Sequence, residues 1–330
     1  MKKSTAWKLV LTSILLIVFA VQAFGCAAPA KKEPITFADL GWDSALVHNR
    51  IAAYILENGY GFPPSIYTPG ETIPLFTGLS TGDIDVTMEV WVENQQEAYD
   101  KFIADGTVLD LGDNFWDSWQ GWLVPTYMVE NGDIPAGVTV DQMPQYWELF
   151  MDPEDNTKGA FYSCVPGWEC EKINEAKFNA YGLYDTYNVI LPGSNAALLG
   201  SMVSAYEKGE PWFGYYWSPT PALGKYDMTP IGEPAYDEAV WDANYACEYP
   251  AVHVNIMVNA EFADAVEEEI IDFLTVYSTT TAQNNDVLAY MESNDASYEE
   301  AALYFIKEQE SVWTQWVPND VANKIKAALP

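Results

Sequence analysis

The sequence predicts an α/β fold with mainly parallel sheets. Short apolar segments that suit buried strands alternate with longer amphipathic segments that suit helices. Strands and helices that alternate at these spacings are typical of parallel sheets covered by helices. The chain has 330 residues, which is enough for one large domain or two of medium size.

The first strand and the first helix are predicted directly after the N-terminal segment. Residues 35–40 are an apolar run that suits a buried strand. Asp43 or Ser44 can cap the helix that follows, and Gly59 can end it. Apolar residues such as Ile51 fall on one face of this helix.

Five further segments have clear patterns. Residues 84–90 alternate apolar and polar side chains, as a strand does, and residues 93–104 favour a helix. Residues 212–217 form a second strand-like run. Amphipathic helices are predicted over residues 261–277 and 298–316.

Two tryptophans stand where predicted strands end. Trp91 follows the alternating strand, and Trp217 closes the second strand-like run. Ligands bind beyond the carboxyl ends of strands in such sheets, so both are candidate site residues. Glu89 lies on the polar side of the alternating strand, residues 84–90. It could add attraction for a cation, but we expect it to be exposed.

The N-terminus predicts a signal peptide over residues 1–25, followed by a tether over residues 26–34. Three lysines precede an apolar stretch over residues 9–20, which is too short to span a bilayer comfortably. Ala-Phe-Gly before Cys26 resembles a bacterial lipobox. We therefore expect an exported protein, periplasmic or at the cell surface, anchored to the membrane by lipid at Cys26. Ordinary cleavage nearby is the alternative.

The four cysteines predict one disulfide and no metal site. Cys164 and Cys170 flank a Pro-Gly turn, and an oxidising compartment permits a bridge between them. Cys247 is then left as an unpaired, buried thiol. The two histidines, His48 and His253, do not stand at ligand spacing from any cysteine.

The strong negative charge excludes nucleic acid as a partner. The formal net charge is −33, and removal of residues 1–25 would take away three lysines and no acidic residue. Binding to phosphates needs clustered Lys and Arg, which this chain lacks. Solubility of a solvated acidic surface is the simplest consequence of the charge.

One segment resembles a known family. Residues 163–171, Ser-Cys-Val-Pro-Gly-Trp-Glu-Cys-Glu, are similar to the Cys-x-Pro-Gly-Trp-x-Cys-Glu segment of the glycine betaine/proline betaine-binding proteins of ABC importers. The segments around Trp91 and Trp217 look like the other two segments of that family's aromatic box. Supporting matches extend from the region of Trp42 to Trp316, so the resemblance covers nearly all of the mature chain.

The resemblance implies a two-lobed periplasmic-binding-protein fold of type II. Each lobe would hold a mainly parallel sheet flanked by helices, and the ligand would lie in the cleft between the lobes. Residues 35–122 and 248–330 would form the first lobe, and residues 123–247 the second. The implied partners are a permease and an ATPase of an ABC transporter, with no cofactor.

The resemblance further implies a cage built by Trp91, Trp168 and Trp217. A quaternary ammonium has no N–H group to donate, so a concave surface of aromatic rings is the chemistry that recognises it. In the family, the ligand carboxylate is held by backbone N–H groups that correspond here to Glu169 and Cys170. This predicts an osmolyte-binding subunit for glycine betaine or a related compound.

Two further positions bear on the ligand. The family has a histidine four residues after the first cage tryptophan, whereas this chain has Gln95, which donates without a positive charge. Trp42 lies at a helix N-terminus, where small polar ligands often bind. Choline, carnitine, trimethylamine N-oxide and dimethylsulfoniopropionate would fit the same cage.

An exported acidic glycoside hydrolase is the alternative of another class. Such enzymes use two carboxylates beside an aromatic sugar platform, and 48 acidic residues always offer some pair. The sequence has no nucleophile elbow, zinc-protease helix motif or P-loop. A sensor module without transport is a further alternative. We therefore predict a binding protein rather than an enzyme.

Overall fold

The computed structural model describes residues 32–330. The predicted signal peptide and Cys26 lie outside the described residues. Residues Pro34–Pro330 form one compact unit. Across the described range, every helix is too short or too polar to cross a membrane.

Within this range, ten strands form two five-stranded sheets. The first sheet has the order β2-β1-β3-β10-β4 and the second the order β7-β6-β8-β5-β9. The strands are β1 (Thr36–Leu40), β2 (Ile66–Gly70), β3 (Val86–Trp91), β4 (Val108–Phe115), β5 (Trp119–Pro125), β6 (Gly159–Tyr162), β7 (Tyr187–Ile190), β8 (Gly214–Ser218), β9 (Met228–Pro230) and β10 (Val254–Asn259).

The two sheets share one pattern of strand directions. In the first sheet, β1 pairs parallel with β2 and β3, while β10 pairs antiparallel with β3 and β4. In the second, β6 pairs parallel with β7 and β8, while β5 pairs antiparallel with β8 and β9. Each sheet is therefore mixed, with one strand opposed to the other four. The chain enters the second sheet at β5 and returns at β10.

Helices flank both sheets. They are α1 (Asp43–Gly59), α2 (Thr72–Thr81), α3 (Gln96–Ala104), α4 (Thr126–Glu130), α5 (Glu169–Ala180), α6 (Asn195–Lys208), α7 (Pro221–Lys225), α8 (Glu238–Asn244), α9 (Ala260–Ala265), α10 (Glu268–Val276), α11 (Thr281–Asn294), α12 (Tyr298–Glu308), α13 (Glu310–Trp313) and α14 (Asn319–Ala328). Short 3-10 helices cover Val92–Gln95, Val140–Gln145, Trp147–Phe150 and Leu183–Asp185.

The change of sheet falls earlier in the chain than the sequence predicted. Residues 119–122 were expected in the first lobe, but Trp119 begins β5, which pairs with β8 and β9 of the second sheet. The first crossing therefore lies between Phe115 and Trp119, and the return lies between Asn244 and Val254. We call the elements around the first sheet lobe 1 and those around the second sheet lobe 2.

Two predicted helices are broken in the structure. The segment 261–277 is divided into α9 and α10 because Val266 adopts an extended backbone conformation. No residue of α9 is buried, whereas α10 buries Ile270, Phe273 and Leu274. The break thus lets the second helix lie on the core. The segment 298–316 is similarly interrupted at Gln309.

The strand β3 is buried on both faces. Its alternating pattern predicts one exposed face, but all six of its residues are buried, including Thr87 and Glu89. Helices cover both sides of the sheet, as is usual where parallel strands occupy its centre. The expectation that Glu89 is exposed was therefore wrong.

The core has two parts. One lies on a single face of the first sheet, and includes Phe37, Ile51 and Phe305. The other begins on the opposite face of that sheet and continues into the interior of lobe 2, where Trp122 and Phe161 belong to it. The second part joins the lobes, and the candidate site lies along it.

Candidate ligand-binding cavity

Residues of both lobes line one cavity of about 370 Å³, its open mouth included. The structure brings together around it all seven residues that the sequence predicted to contact a ligand. That they contact a ligand stays a prediction. The lining residues are Trp42, Thr72, Trp91, Asn94, Gln95, Trp168, Glu169, Cys170, Tyr215 and Trp217.

The four tryptophans reach the cavity from similar positions in the two lobes. Trp42 directly follows β1 and its turn, and Trp91 is the last residue of β3. Trp168 lies after β6, immediately before α5, and Trp217 is the last but one residue of β8. All four strands are parallel strands of their sheets, so the indoles gather at the carboxyl ends of strands.

Neighbouring indole rings meet edge to face, one pair across the cleft and one pair within lobe 2. The ring centroids of Trp42 and Trp168 lie 5.3 Å apart with an interplanar angle of 77°. Those of Trp168 and Trp217 lie 5.1 Å apart at 83°. All four cage tryptophans are buried. Because Trp42 belongs to lobe 1 and Trp168 to lobe 2, this contact shows that the lobes are closed against each other.

A buried carboxylate fixes the two indoles of lobe 1. Trp42 Nε1 donates to Glu89 Oε2 at 2.7 Å, and Trp91 Nε1 lies 3.4 Å from the same oxygen. Glu89 is 1% exposed. One carboxylate oxygen thus orients two walls of the cavity that come from separate strands.

The environment of Glu89 favours its protonated form. Burial raises the pKa of the carboxyl to about 7, and the hydrogen bonds from Trp42 and Trp91 partly oppose that rise. His48 Nε2 is 3.8 Å from Glu89 Oε1. Burial lowers the pKa of His48 to about 3, so the imidazole is neutral near pH 7 and does not supply a countercharge. Its Nδ1 lies 2.7 Å from the Tyr277 hydroxyl.

A second carboxylate contacts an indole across the cleft. Trp168 Nε1 donates to Glu71 Oε2. Glu71 belongs to lobe 1, where it immediately precedes α2. Gly167 has a φ of +94°, and a Cβ there would lie 3.0 Å from Glu71 Cβ. The glycine is therefore required both by its backbone conformation and by the close approach of the lobes.

Amide groups line the side of the cavity next to β5. Asn94 and Gln120 form a reciprocal pair across the lobes, with bonds of 3.2 Å and 2.8 Å. The Tyr215 hydroxyl donates to Gln120 Oε1 at 2.7 Å. Gln95 is buried and faces the same cavity. No Lys, Arg or His lines the cavity among the described residues.

The helix α5 begins at the cavity. Glu169 and Cys170 are its first two residues, and the first N–H groups of a helix have no partner within the helix. A helix N-terminus also carries partial positive charge, which suits an anionic group. A disulfide joins Cys164 to Cys170, enclosing Trp168 in a short ring, while Cys247 is free and buried.

In the described part of the chain, no group of three or more His, Cys, Asp or Glu side chains could hold a metal ion.

The sequence reasoning missed four residues of the site. Tyr215 stands two residues before Trp217, so both side chains lie on the same face of β8, and this spacing could have identified it. Asn94 follows β3, and Glu71 and Thr72 follow β2. Their positions after strand ends were the available signal.

The two α/β lobes and the shared cavity between them define the class of two-lobed solute-binding proteins. Residues 33–308 match the family described as the substrate binding domain of the ABC-type glycine betaine transport system, and the chain belongs to this family. This confirms the predicted role as the substrate-binding subunit of an ABC transporter.

Curated relatives support the assignment over different lengths. The trimethylamine N-oxide-binding protein of Pelagibacter ubique is 23% identical over 310 residues, covering 92% of this chain and 96% of the relative. The glycine betaine/proline betaine-binding periplasmic protein of Escherichia coli is 27% identical over 150 residues, covering 44% and 43%.

Solved structures confirm the predicted two-lobed type II fold. An ABC-transporter choline-binding protein in complex with choline has a TM-score of 0.74 at 18% identity, covering 92% of this chain and all of that one. The closed, glycine betaine-bound lactococcal protein has a TM-score of 0.68 at 17% identity, covering 87% and 100%. At these identities the likeness shows the fold alone.

Proposed function

We propose that the cavity captures one small methylated ammonium compound and that the closed protein delivers it to the permease and ATPase of an ABC transporter. One observation carries the proposal: four indoles from two lobes surround a single cavity whose described lining has no cationic side chain. A quaternary ammonium offers methyl groups with spread positive charge, and aromatic faces are its natural partners.

The energetics require a rigid cage. A desolvated cation–π contact contributes roughly 2 kcal/mol, so three or four contacts give ~6–8 kcal/mol before entropy losses are subtracted. Micromolar affinity needs about 8 kcal/mol net. The cage must therefore be preorganised. The hydrogen bonds of Trp42 and Trp91 to Glu89 within lobe 1, and the disulfide ring around Trp168 within lobe 2, supply that order.

The opposite pole of the ligand faces neutral donors. Asn94 and Gln95 offer amides, and the first N–H groups of α5 lie at Glu169 and Cys170. This set suits a compact anionic group, such as a betaine carboxylate or an amine-oxide oxygen. We therefore place glycine betaine and trimethylamine N-oxide first. Choline, carnitine and dimethylsulfoniopropionate share the methylated head and are the alternatives.

We further propose that binding involves no chemical conversion. Glycoside hydrolysis needs two carboxyl groups that flank the scissile bond. Among the described lining residues, Glu169 is the one carboxylate, and it pairs with Lys172 at 3.0 Å. Recovery of unchanged ligand after prolonged incubation with the protein, measured by proton NMR, is the expected result. A product peak would contradict this part of the proposal.

A ligand panel tests the binding proposal. Thermal unfolding and calorimetry would be run with glycine betaine, trimethylamine N-oxide, choline, carnitine and dimethylsulfoniopropionate. A true ligand at 100 times its Kd should add about 2.7 kcal/mol of stability. No stabilisation by any of these compounds would contradict the proposal.

Matched tryptophan variants locate the binding site. Trp217→Ala should weaken binding of the best ligand by at least about tenfold, because it removes a cation–π wall. Trp116→Ala is the control, since Trp116 is 67% exposed and does not line the cavity. Equal affinities of the two variants would remove Trp217 from the site.

We also propose export and a lipid anchor at Cys26. The support is the basic and apolar N-terminal segment with its lipobox-like sequence. Cell fractionation of the wild type and of Cys26→Ser tests it. The wild type should be found with membranes and the variant in the released fraction. Equal membrane association of both would contradict the anchor.

A further inference from the structure

The hydrogen bond between Trp168 and Glu71 differs from the other indole contacts of the cage. Trp42 and Trp91 donate to Glu89, which belongs to the same lobe as they do. Trp168 belongs to lobe 2, and its Nε1 donates to Glu71 of lobe 1. Only this carboxylate–indole contact of the cage therefore depends on lobe closure.

Backbone from both lobes encloses the Glu71 side chain. On the side of lobe 2, a Cβ at Gly167 would lie 3.0 Å from Glu71 Cβ and 3.2 Å from its Cγ. On the side of lobe 1, a Cβ at Gly41 would lie 3.4 Å from Glu71 Oε2. Two glycines thus leave the room in which the carboxylate reaches the indole of Trp168. Such a fitted contact is a property of the closed arrangement.

The contact also bears on the geometry of the cage. Trp168 meets Trp42 at 5.3 Å and Trp217 at 5.1 Å, so it lies between the walls supplied by the two lobes. A tilt of Trp168 would change its contact with both. The ring of the Cys164–Cys170 disulfide holds its backbone, and Glu71 holds the far edge of its side chain.

We propose that Glu71 is a positioning residue for ligand binding, which locks Trp168 into the cage when the lobes close and thereby slows release of the ligand. This inference rests on the proposed function. A contact made in the closed state and lost in the open state shifts the population toward closure by its own free energy. Ligand entry into the open form precedes the contact, so its effect falls on release.

Stopped-flow kinetics test the proposal, with intrinsic tryptophan fluorescence as the signal and the best ligand of the panel as the probe. Hydrogen bonds to charged groups predict that Glu71→Ala releases ligand roughly tenfold faster, with association little changed. Glu71→Gln keeps an acceptor oxygen and should recover part of the loss. Glu308→Ala removes one exposed carboxylate of lobe 1, on α12, and is the matched control.

A double-mutant cycle separates the effect of the Trp168–Glu71 hydrogen bond from a general effect of charge. Trp168→Phe keeps an aromatic wall and removes the indole N–H. In that background Glu71→Ala should cause no further acceleration of release, because coupled residues are not additive. Equal acceleration in both backgrounds would overturn the proposal, as would a slower association with unchanged release.

Thermal unfolding of the ligand-free variants guards against misfolding, and Glu71→Gln supplies a second test if Glu71→Ala is unstable. A wild type that binds nothing in the panel contradicts the proposed function itself. If the wild type binds normally and a stable, folded Glu71→Ala releases ligand at the wild-type rate, only the proposed role of Glu71 is contradicted.

Discussion

Glu89→Gln is the substitution whose effect the structure predicts most fully. The buried carboxyl has a pKa of about 7 in the folded protein, against an ordinary value of 4.5. Glutamine has the same shape, is neutral at every pH, and keeps an oxygen to accept from Trp42. The variant therefore resembles the wild type with a protonated Glu89.

The raised pKa fixes the sign of the pH dependence. Between pH 4.5 and 7 the unfolded chain has lost this proton while the folded protein keeps it. The stabilisation is therefore fully present below pH 4.5, falls as the pH rises, and is lost above pH 7. One pKa unit corresponds to about 1.4 kcal/mol, so the loss amounts to about 3 kcal/mol.

Urea unfolding of the wild type and of Glu89→Gln from pH 4.5 to 8 measures this contribution of Glu89 to the free energy of unfolding. Titrations common to both proteins cancel in the difference between their free energies of unfolding. In the folded protein, His48 and Tyr277, which lie against this site, do not titrate between pH 4.5 and 8. Burial lowers the pKa of the histidine to about 3 and raises the pKa of the tyrosine. The variant should match the wild type at low pH and be more stable by about 3 kcal/mol at pH 8. A difference that does not change with pH would refute the assigned pKa.

The same substitution should affect ligand binding. A cation in the cage favours the ionised carboxylate, so the affinity of the wild type for a permanently charged ligand should rise between pH 6 and 8. The affinity of Glu89→Gln should stay constant over that range and be lower at pH 8. Calorimetry with choline, whose charge is fixed, measures both. Parallel profiles would show that Glu89 carries no charge that the ligand senses.

Two further predictions concern stability. Replacing Cys164 and Cys170 by alanine should lower the free energy of unfolding by about 2 kcal/mol through the entropy of the short closed loop, measured in urea; an unchanged midpoint would contradict this. Lys177 and Glu233 form a buried ion pair at 2.5 Å, so Lys177→Met should cost roughly 3–5 kcal/mol by leaving the buried carboxylate without a countercharge. Lys177→Met with Glu233→Gln should recover much of that loss, and a double variant as unstable as the single one would argue against the pairing.

Much of the site could be predicted because its signals are local. Trp91 and Trp217 lie at the ends of strands that the adjoining residues predict. The segment around Trp168 has a specific spacing of cysteines and glycine. The structure gathers these residues around one cavity with Trp42. The carboxyl ends of parallel strands meet at one edge of a sheet, so residues at those ends come together whatever lies between them.

The lobe boundary could not be placed from local pattern. The sheet to which β5 belongs is decided by its pairing with β8 and β9, roughly 95 and 105 residues further along the chain. The same limit explains why the burial of Glu89 could not be predicted. A polar residue that alternates with apolar ones is exposed only if nothing covers its face, and helices cover both faces of the first sheet.

The sequence by itself determined the α/β class, the strand-end tryptophans, the neighbouring cysteines and the family, because each depends on residues close together or on the pattern of the whole chain. Only the tertiary structure decided which carboxylates hold the indoles. Glu71 and Trp168 are 97 residues apart in the sequence and lie in different lobes. A hydrogen bond between such residues exists only once the two sheets have been brought together, and no local periodicity encodes that approach.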